Sequence, residues 1–567
     1  MKRIFGLLLA VAMLLTACAG MSLAEDLEMS DVPGMTAAGV LPIVTEPVTL
    51  TVALVKQGNV VDYDTNTFTK WVEEKTGINL EFVYLPSEET ETKIEMMMGS
   101  DEKLPDIIFA GLGTSINYYG MSGKLANIAD YFGEYDYFYY DFLRKYTTED
   151  DIAEMDKYMY ATDGGVYGWP EITTQWRGVV CENGYYINKT WLDNLGLDMP
   201  TTTEELYDVL VAFRDQDPNG NGIADEIPCV GFQSYERRGD MVGYLLNAFT
   251  YYPYSWVKDC RYVIEDGEVT SACLKEEYRE GLRYCKKLVD EGLLSPLSFT
   301  QKDTELQAMI QLPADEVSIV GMFATHFSSG GVGMGGASAE YPHALEYVAL
   351  APVSGPEGAR YWARWNNNYS SQTGISATCE HPEVAFRLLD FLSSAEAYLN
   401  GRYGQEGDAW SWAAEGELDD TNRQAAFHDL KTERGETTYW AAEKQNEIWR
   451  CVIPLDEPTL FRNVATVNPD PYKQYVADTF NEACLQRDGL EPEEVYKTYR
   501  YTEEEQAIVD QFQAELYNKQ NDWRTWFVTG EKDLDTDWDA FIQEQYDLGL
   551  QQLLDVCNAY YERSKAQ

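Results

Sequence analysis

From Val48 onward the hydrophobic pattern changes period repeatedly. Val48–Lys56 reads as a strand, Thr67–Thr76 as a helix, Ile78–Leu85 as a strand, Glu88–Met98 as a helix, and Asp106–Phe109 as a short strand after Pro105. Strand–helix–strand alternation calls for right-handed crossovers onto a mostly parallel sheet, so the fold class is α/β. Ligands of such sheets bind beyond the carboxyl ends of the strands. Here those ends are Gln57-Gly-Asn59 and Ala110-Gly-Leu-Gly113, which makes Asn59 a candidate ligand contact. Further along, Thr202–Arg214 predicts a helix with a Thr cap and Glu204 and Glu205 in its first turn, and Ile227–Phe232 predicts a short strand. Arg261–Ala272 has the pattern of a hairpin centred on Asp266-Gly267. A two-residue type I′ turn there would oppose Cys260 and Cys273, close enough for a disulfide. Tyr131–Tyr146 is dense in aromatics and offers either a sugar-stacking platform or a helix packed on its own lobe.

The sharpest chemistry lies between the capped helix and the short strand, in Asp217-Pro-Asn-Gly-Asn-Gly-Ile-Ala-Asp-Glu226. Counted from Asp217, oxygen-bearing side chains fall at alternate positions, Asp217, Asn219, Asn221 and Asp225. Gly222 sits at the sharp turn, and Ile223 offers its backbone carbonyl. A loop wrapping an ion points every second residue inward, and calcium takes six to eight hard oxygens. An EF-hand sensor would place a bidentate Glu at the twelfth position, but Pro228 stands there and the acid is Glu226. A strand follows instead of an outgoing helix, and there is no second loop to pair with. The readings are a structural calcium clip, an Asx-rich turn without metal, and, last, a calcium switch.

Residues 1–17 carry Lys2, Arg3 and an apolar run from Ile4 to Leu15, the pattern of a secretory signal too short to span a bilayer. The run ends Leu15-Thr-Ala-Cys18, which resembles a bacterial lipobox. That resemblance implies a lipidated Cys18, an anchor on the outer face of the cell membrane and a chain that works outside the cytoplasm. Residues 18–46 are small, polar and acidic and predict a flexible tether. The rest exceeds what one core can hold, so at least two lobes are expected. With 43 basic against 95 acidic residues the formal net charge is −52, which excludes nucleic acid and anionic lipid as partners unless a local basic patch exists. The cysteines beyond Cys18 include no CxxC and no metal-ligand spacing.

Motifs in chain order carry a family resemblance. They include Leu104-Pro-Asp-Ile-Ile-Phe109, Gly164-Gly-Val-Tyr-Gly-Trp-Pro170, Tyr186–Leu197, Val317–Met322, Thr373-Gly-Ile-Ser376, His381–Leu392, Tyr403-Gly-Gln-Glu-Gly407 and Phe527-Val-Thr-Gly530 with Asp537-Trp538. Together they resemble the extracellular solute-binding proteins of ABC importers (family 1), in the branch of large carbohydrate-binding lipoproteins. The resemblance implies a two-lobed periplasmic-binding-protein-like fold of type II, with discontinuous lobes joined by hinge crossings. It places lobe 1 at 47–180 and 370–405, and lobe 2 at 181–369 and 406–567. It further implies a monomer that delivers an oligosaccharide to ABC transporter permease subunits and touches the membrane through its anchor only. Several relatives bind calcium in a loop like 217–226.

A pyranose presents a flat C–H face to an aromatic ring and hydroxyls to planar polar groups. Candidates at the implied crossings and strand ends are Trp169, Trp176, Trp365 with Asn366, Tyr369 and Trp410. Phe327 joins them because relatives carry a cleft-facing aromatic after the late strand of lobe 2. Core packing is the competing reading for each Trp, and a peptide is the competing ligand. A secreted glycoside hydrolase needs two carboxylates at a fixed separation that no motif singles out. Neither HExxH nor GxSxG occurs around His326, His343, His381 and His428, so no enzyme is expected.

Overall fold

The computed structural model describes residues 27–565 except 87–88, 101, 148, 174–182, 234–238, 254–259, 327–339, 363–367, 420–423 and 451–463. Between 466 and 500 it describes 475, 479, 482, 486 and 489–496. The chain divides into two compact units. One holds residues up to Thr174, Tyr369–Glu417 and Ala425–Ala465, and the other holds Gln175–Asn368, Leu418–Gln424 and Thr466–Gln567. Two of these divisions fall on or beside the paired strands Glu171–Thr173 and Asn368–Ser370.

The first unit is built on a four-stranded sheet in the order Gly374–Ile375, Ile107–Ile108, Val48–Val55, Ile78–Leu85. Val48–Val55 runs parallel to both of its neighbours, and the late strand Gly374–Ile375 joins the edge antiparallel. The crossover helix Thr67–Thr76 starts where the Asn66 side chain accepts the Phe68 N–H and ends at Gly77, whose φ of 76° suits a residue without Cβ. Its buried face, Phe68 and Val72, packs on a layer that includes Trp449. That indole is fully buried, edge-on to Phe68 at 5.0 Å and to Phe82 at 5.7 Å, and donates from Nε1 to Thr69 Oγ1 at 2.7 Å. Backbone bonds from Val61 to Gln445 and from Thr67 to Asn446 seal the same edge. Residues 425–465 therefore belong to the first unit, not to the second lobe where an uninterrupted 406–567 would put them. Nothing local in that stretch signals the return, because its partners lie about 380 residues away in sequence.

Residues 27–46 also depart from the expected tether. Met35, Ile43 and Val44 are buried, and bridges join Met29 to Thr36 and Met35 to Val44. The guanidinium of Arg387, on the helix Pro382–Leu392, donates from Nη1 to the carbonyls of Thr36 and Ala37, both at 2.8 Å, and from Nη2 to that of Val40 at 3.1 Å. Next to it Asp390 accepts the backbone N–H groups of Tyr137, Phe138 and Tyr139, which caps the helix Phe138–Tyr146. The aromatic stretch 131–146 is thus a packed helix and its approach, with Phe132 and Tyr131 edge-on to Phe386.

In the second unit the sheet order is Tyr347–Ala349, Asn183–Asn188, Val320–His326, Ile227–Val230, antiparallel except for the last pair. The strand expected at Val317 begins at Val320, and Val317 itself is exposed. The helix Thr203–Asp215 opens with a capping box between Thr202 and Glu205 and buries Leu206, Leu210 and Phe213 in the core with Trp191 and Tyr185. The hairpin strands Tyr262–Glu265 and Glu268–Ser271 pair in the register expected, around Asp266 and Gly267 at φ 51° and 80°. Cys260 and Cys273 nevertheless form no disulfide with each other. Arg261 turns the chain at φ 54° and Ala272–Leu274 winds into a 3₁₀ turn, so Cys260 joins the cluster around Tyr517 and Cys557 while Cys273 joins that around Tyr278.

Candidate functional site

In the first unit the carboxyl ends of Val48–Val55 and Ile78–Leu85 lie side by side in parallel register. The chain that follows them lines an open cavity of about 730 Å³. Lys56, Gln57 and Gly58 line it from the first strand's end, Tyr84, Leu85 and Pro86 from the second's, and Val60, Val61 and Lys444 complete it. Lys444 reaches in from the late segment that seals this edge, and its Nζ donates to the Gly58 carbonyl at 2.6 Å. Lys56 Nζ stands 5.1 Å from the centroid of the Tyr84 ring, which is 40% exposed. Partial burial, then the charges of Asp64 and Asp62, push the Tyr84 hydroxyl pKa up, so it is a neutral donor. A half-open aromatic face, an apolar rim and fixed polar groups suit a ring with one C–H face and many hydroxyls.

Several candidates stand elsewhere. Trp169 is fully buried among Phe132, Tyr139 and Phe386 in the first unit's core. Trp410 is fully buried too, with Nε1 on the Gly404 carbonyl at 2.9 Å and on Asn400 Oδ1 at 3.3 Å. Both are structural, because each indole is surrounded before any ligand arrives. Trp412, edge-on to Trp410, is the exposed indole of the short strand Trp410–Trp412. Asn59 adjoins the cavity; its Nδ2 donates to the carbonyls of Ala442 at 3.2 Å and Tyr439 at 3.5 Å, while its Oδ1 is buried with no hydrogen-bond partner among the described residues. Tyr369 lies on the strand Asn368–Ser370. Trp176, Phe327, Trp365, Asn366 and Cys18 lie outside the described residues. Sequence reasoning missed Lys56, Tyr84 and Lys444. The strand-end rule could have found Tyr84, had it been applied to the end of Ile78–Leu85, and Lys56, had the first strand been ended at Val55.

The loop 217–226 belongs to the second unit and sits between the capped helix and the strand Ile227–Val230. Asp217 holds φ 48° and accepts the N–H groups of Asn221 and Gly222 at 3.1 and 3.0 Å. Asn219 and Asn221 turn their side-chain nitrogens toward the Asp225 carboxylate, and the Ile223 carbonyl accepts the Asp225 N–H at 3.0 Å. Glu226 Oε1 is buried with no hydrogen-bond partner among the described residues. Burial, with the charges of Asp225 and Asp217 adding to it, pushes the Glu226 carboxyl pKa up, a penalty that a bound cation would relieve. Among the described residues no three carboxylate, imidazole or thiolate groups come together as a metal cluster, so an ion here would draw on amide and carbonyl oxygens as well. That donor chemistry fits calcium.

Residues 58–398 match the family described as bacterial extracellular solute-binding protein. The chain belongs to that family. Across its length it is 24% identical to the fructooligosaccharide ABC transporter substrate-binding protein FusA of Streptococcus pneumoniae, over 87% of this chain and 86% of FusA. It is 23% identical to the polygalacturonan/rhamnogalacturonan-binding protein YtcQ of Bacillus subtilis, over 60% and 62% of the two chains. Among solved structures, FusA in complex with kestose superposes with a TM-score of 0.65 at 22% identity, covering 92% of this chain and 100% of that one. An extracellular solute-binding protein from Bifidobacterium longum subsp. infantis gives 0.70 at 20% identity, covering 91% and 98%. These likenesses establish the two-lobed solute-binding fold. Among the described residues no helix is long and apolar enough to cross a membrane.

Proposed function

We propose that this chain captures an oligosaccharide outside the cytoplasm and delivers it to the permease of an ABC importer. The observation that carries the reading is the cavity at the carboxyl ends of two parallel strands, with an exposed tyrosine face and polar groups held in place, in a chain of the solute-binding family. FusA and YtcQ, named for a fructooligosaccharide and for polygalacturonan and rhamnogalacturonan, support a carbohydrate over other solutes. The protein binds its sugar without cleaving it. In support, His343 and His428 are each engaged at both ring nitrogens, His343 by Glu346 and the Pro313 carbonyl, His428 by Glu417 and Glu433. It is held to the outer face of the membrane by a lipid on Cys18, and it works as a monomer.

Calcium acts as a structural clip. Asp217, Asn219, Asn221, the Ile223 carbonyl, Asp225 and Glu226 would hold it, and it would supply positive charge to a loop that has three carboxylates within ten residues. A thermal-shift screen against oligosaccharides tests the function. One component should raise the melting temperature and come back from the incubation chemically unchanged. A panel that stabilises nothing, or a hydrolysed component, would refute the reading.

A further inference from the structure

The cavity's charge is unusual for this chain. Acids outnumber bases 95 to 43 along the sequence, yet among the described residues the lining holds two lysines and no carboxylate. Lysines elsewhere, such as Lys145, Lys189 and Lys286, sit on aspartates one helical turn away. Among the described residues neither Lys56 nor Lys444 forms an ion pair: Lys56 lies over the Tyr84 face, with its charge felt at Asp62, and Lys444 donates to the Gly58 carbonyl. The nearby acids Asp62 and Asp64 act on Tyr84, and Asp62 is already engaged by Thr65 Oγ1 at 2.7 Å and the Asp64 N–H at 3.2 Å. An ammonium carries three donors, so Lys444 keeps two of them in a position that its bond to Gly58 fixes in advance.

We propose that the cavity recognises a carboxylated sugar, a hexuronate unit of the captured oligosaccharide. Its carboxylate lies against Lys56 and Lys444, and its C–H face lies against Tyr84. A carboxylate at this rim gains a charge-assisted hydrogen bond from each ammonium group it reaches. In a chain of formal net charge −52, long-range attraction does not explain acceptance of an anion, so the recognition is local.

This inference rests on the oligosaccharide reading, and one experiment separates the two. The full folded chain is titrated calorimetrically with a trigalacturonate and with neutral trisaccharides of the same length, at low and high NaCl. The expected result is binding of the uronide that weakens as salt rises, with little or no binding of the neutral sugars. Lys56→Gln and Lys444→Gln should each lower uronide affinity roughly tenfold or more. Their melting curves should stay those of the parent, since both side chains are exposed. Equal binding of a neutral sugar, or uronide binding indifferent to both variants and to salt, overturns the carboxylate inference and leaves sugar capture standing. Failure of every sugar overturns both.

Discussion

The buried Arg387 offers the most direct test of how the amino-terminal segment is held. Arg387→Met keeps most of the side-chain volume and removes three bonds to the carbonyls of Thr36, Ala37 and Val40. Bonds from a charged donor contribute about 1.5–3 kcal/mol each before non-additivity. Loss of one member of a buried charged set costs about 3–5 kcal/mol in all, and Asp390 beside it would lose its nearest positive charge. An expected loss of about 4 kcal/mol lowers the melting temperature of the first unit by roughly 10 °C. Scanning calorimetry suits the measurement, because two units need not unfold together. The substitution should also expose residues 27–46 to protease. In a chain truncated to begin at Glu46, Arg387→Met should cost far less, since the carbonyls it serves are gone. A loss under about 1 kcal/mol, or one undiminished by the truncation, would refute the reasoning.

Other outcomes follow from single contacts. A chelator should lower the melting temperature and calcium restore it, and Asp225→Ala should remove that difference; equal responses in the two proteins would show that the loop holds no ion that matters to stability. Trp410→Ala should cost about 3–5 kcal/mol of stability with ligand affinity unchanged, as a filled core position requires. Tyr84→Ala should do the reverse, weakening sugar binding by roughly 1–3 kcal/mol while the unliganded melt barely moves. At His428, burial disfavours the charged ring but is outweighed by Glu417 and Glu433, and the pKa is raised. Its stabilising contribution is therefore full below about pH 6.5 and is lost as pH rises through the folded value. The stability gap between the parent and His428→Gln should shrink from pH 6 to pH 9, and a gap that widens would reverse the assignment.

Local patterning decided a good deal. The strands Val48–Val55 and Ile78–Leu85 and the helix Thr67–Thr76 are specified by hydrophobic period and by Asn and Gly caps that act within one turn. The hairpin register follows from Asp266-Gly267 alone, because two residues with positive φ admit one pairing. The order of weak motifs was enough to indicate the solute-binding family, and the rule of strand ends pointed at the loop that became one wall of the cavity.

What the tertiary structure decided are matters of long-range partnership. A Trp in a sequence is equally at home against a sugar or inside a core, and only its neighbours show that Trp169 and Trp410 are enclosed while Tyr84 is open. Residues 27–46 look like a tether by composition, yet an arginine some 350 residues away binds their carbonyls. Residues 425–465 return to the first unit through backbone bonds that any sequence could make. Side-chain chemistry and period are written in the residues themselves. Burial, and the choice of which distant segment supplies the last wall of a site, arise only when the whole chain has packed, because the energy of those contacts belongs to pairs and not to single positions.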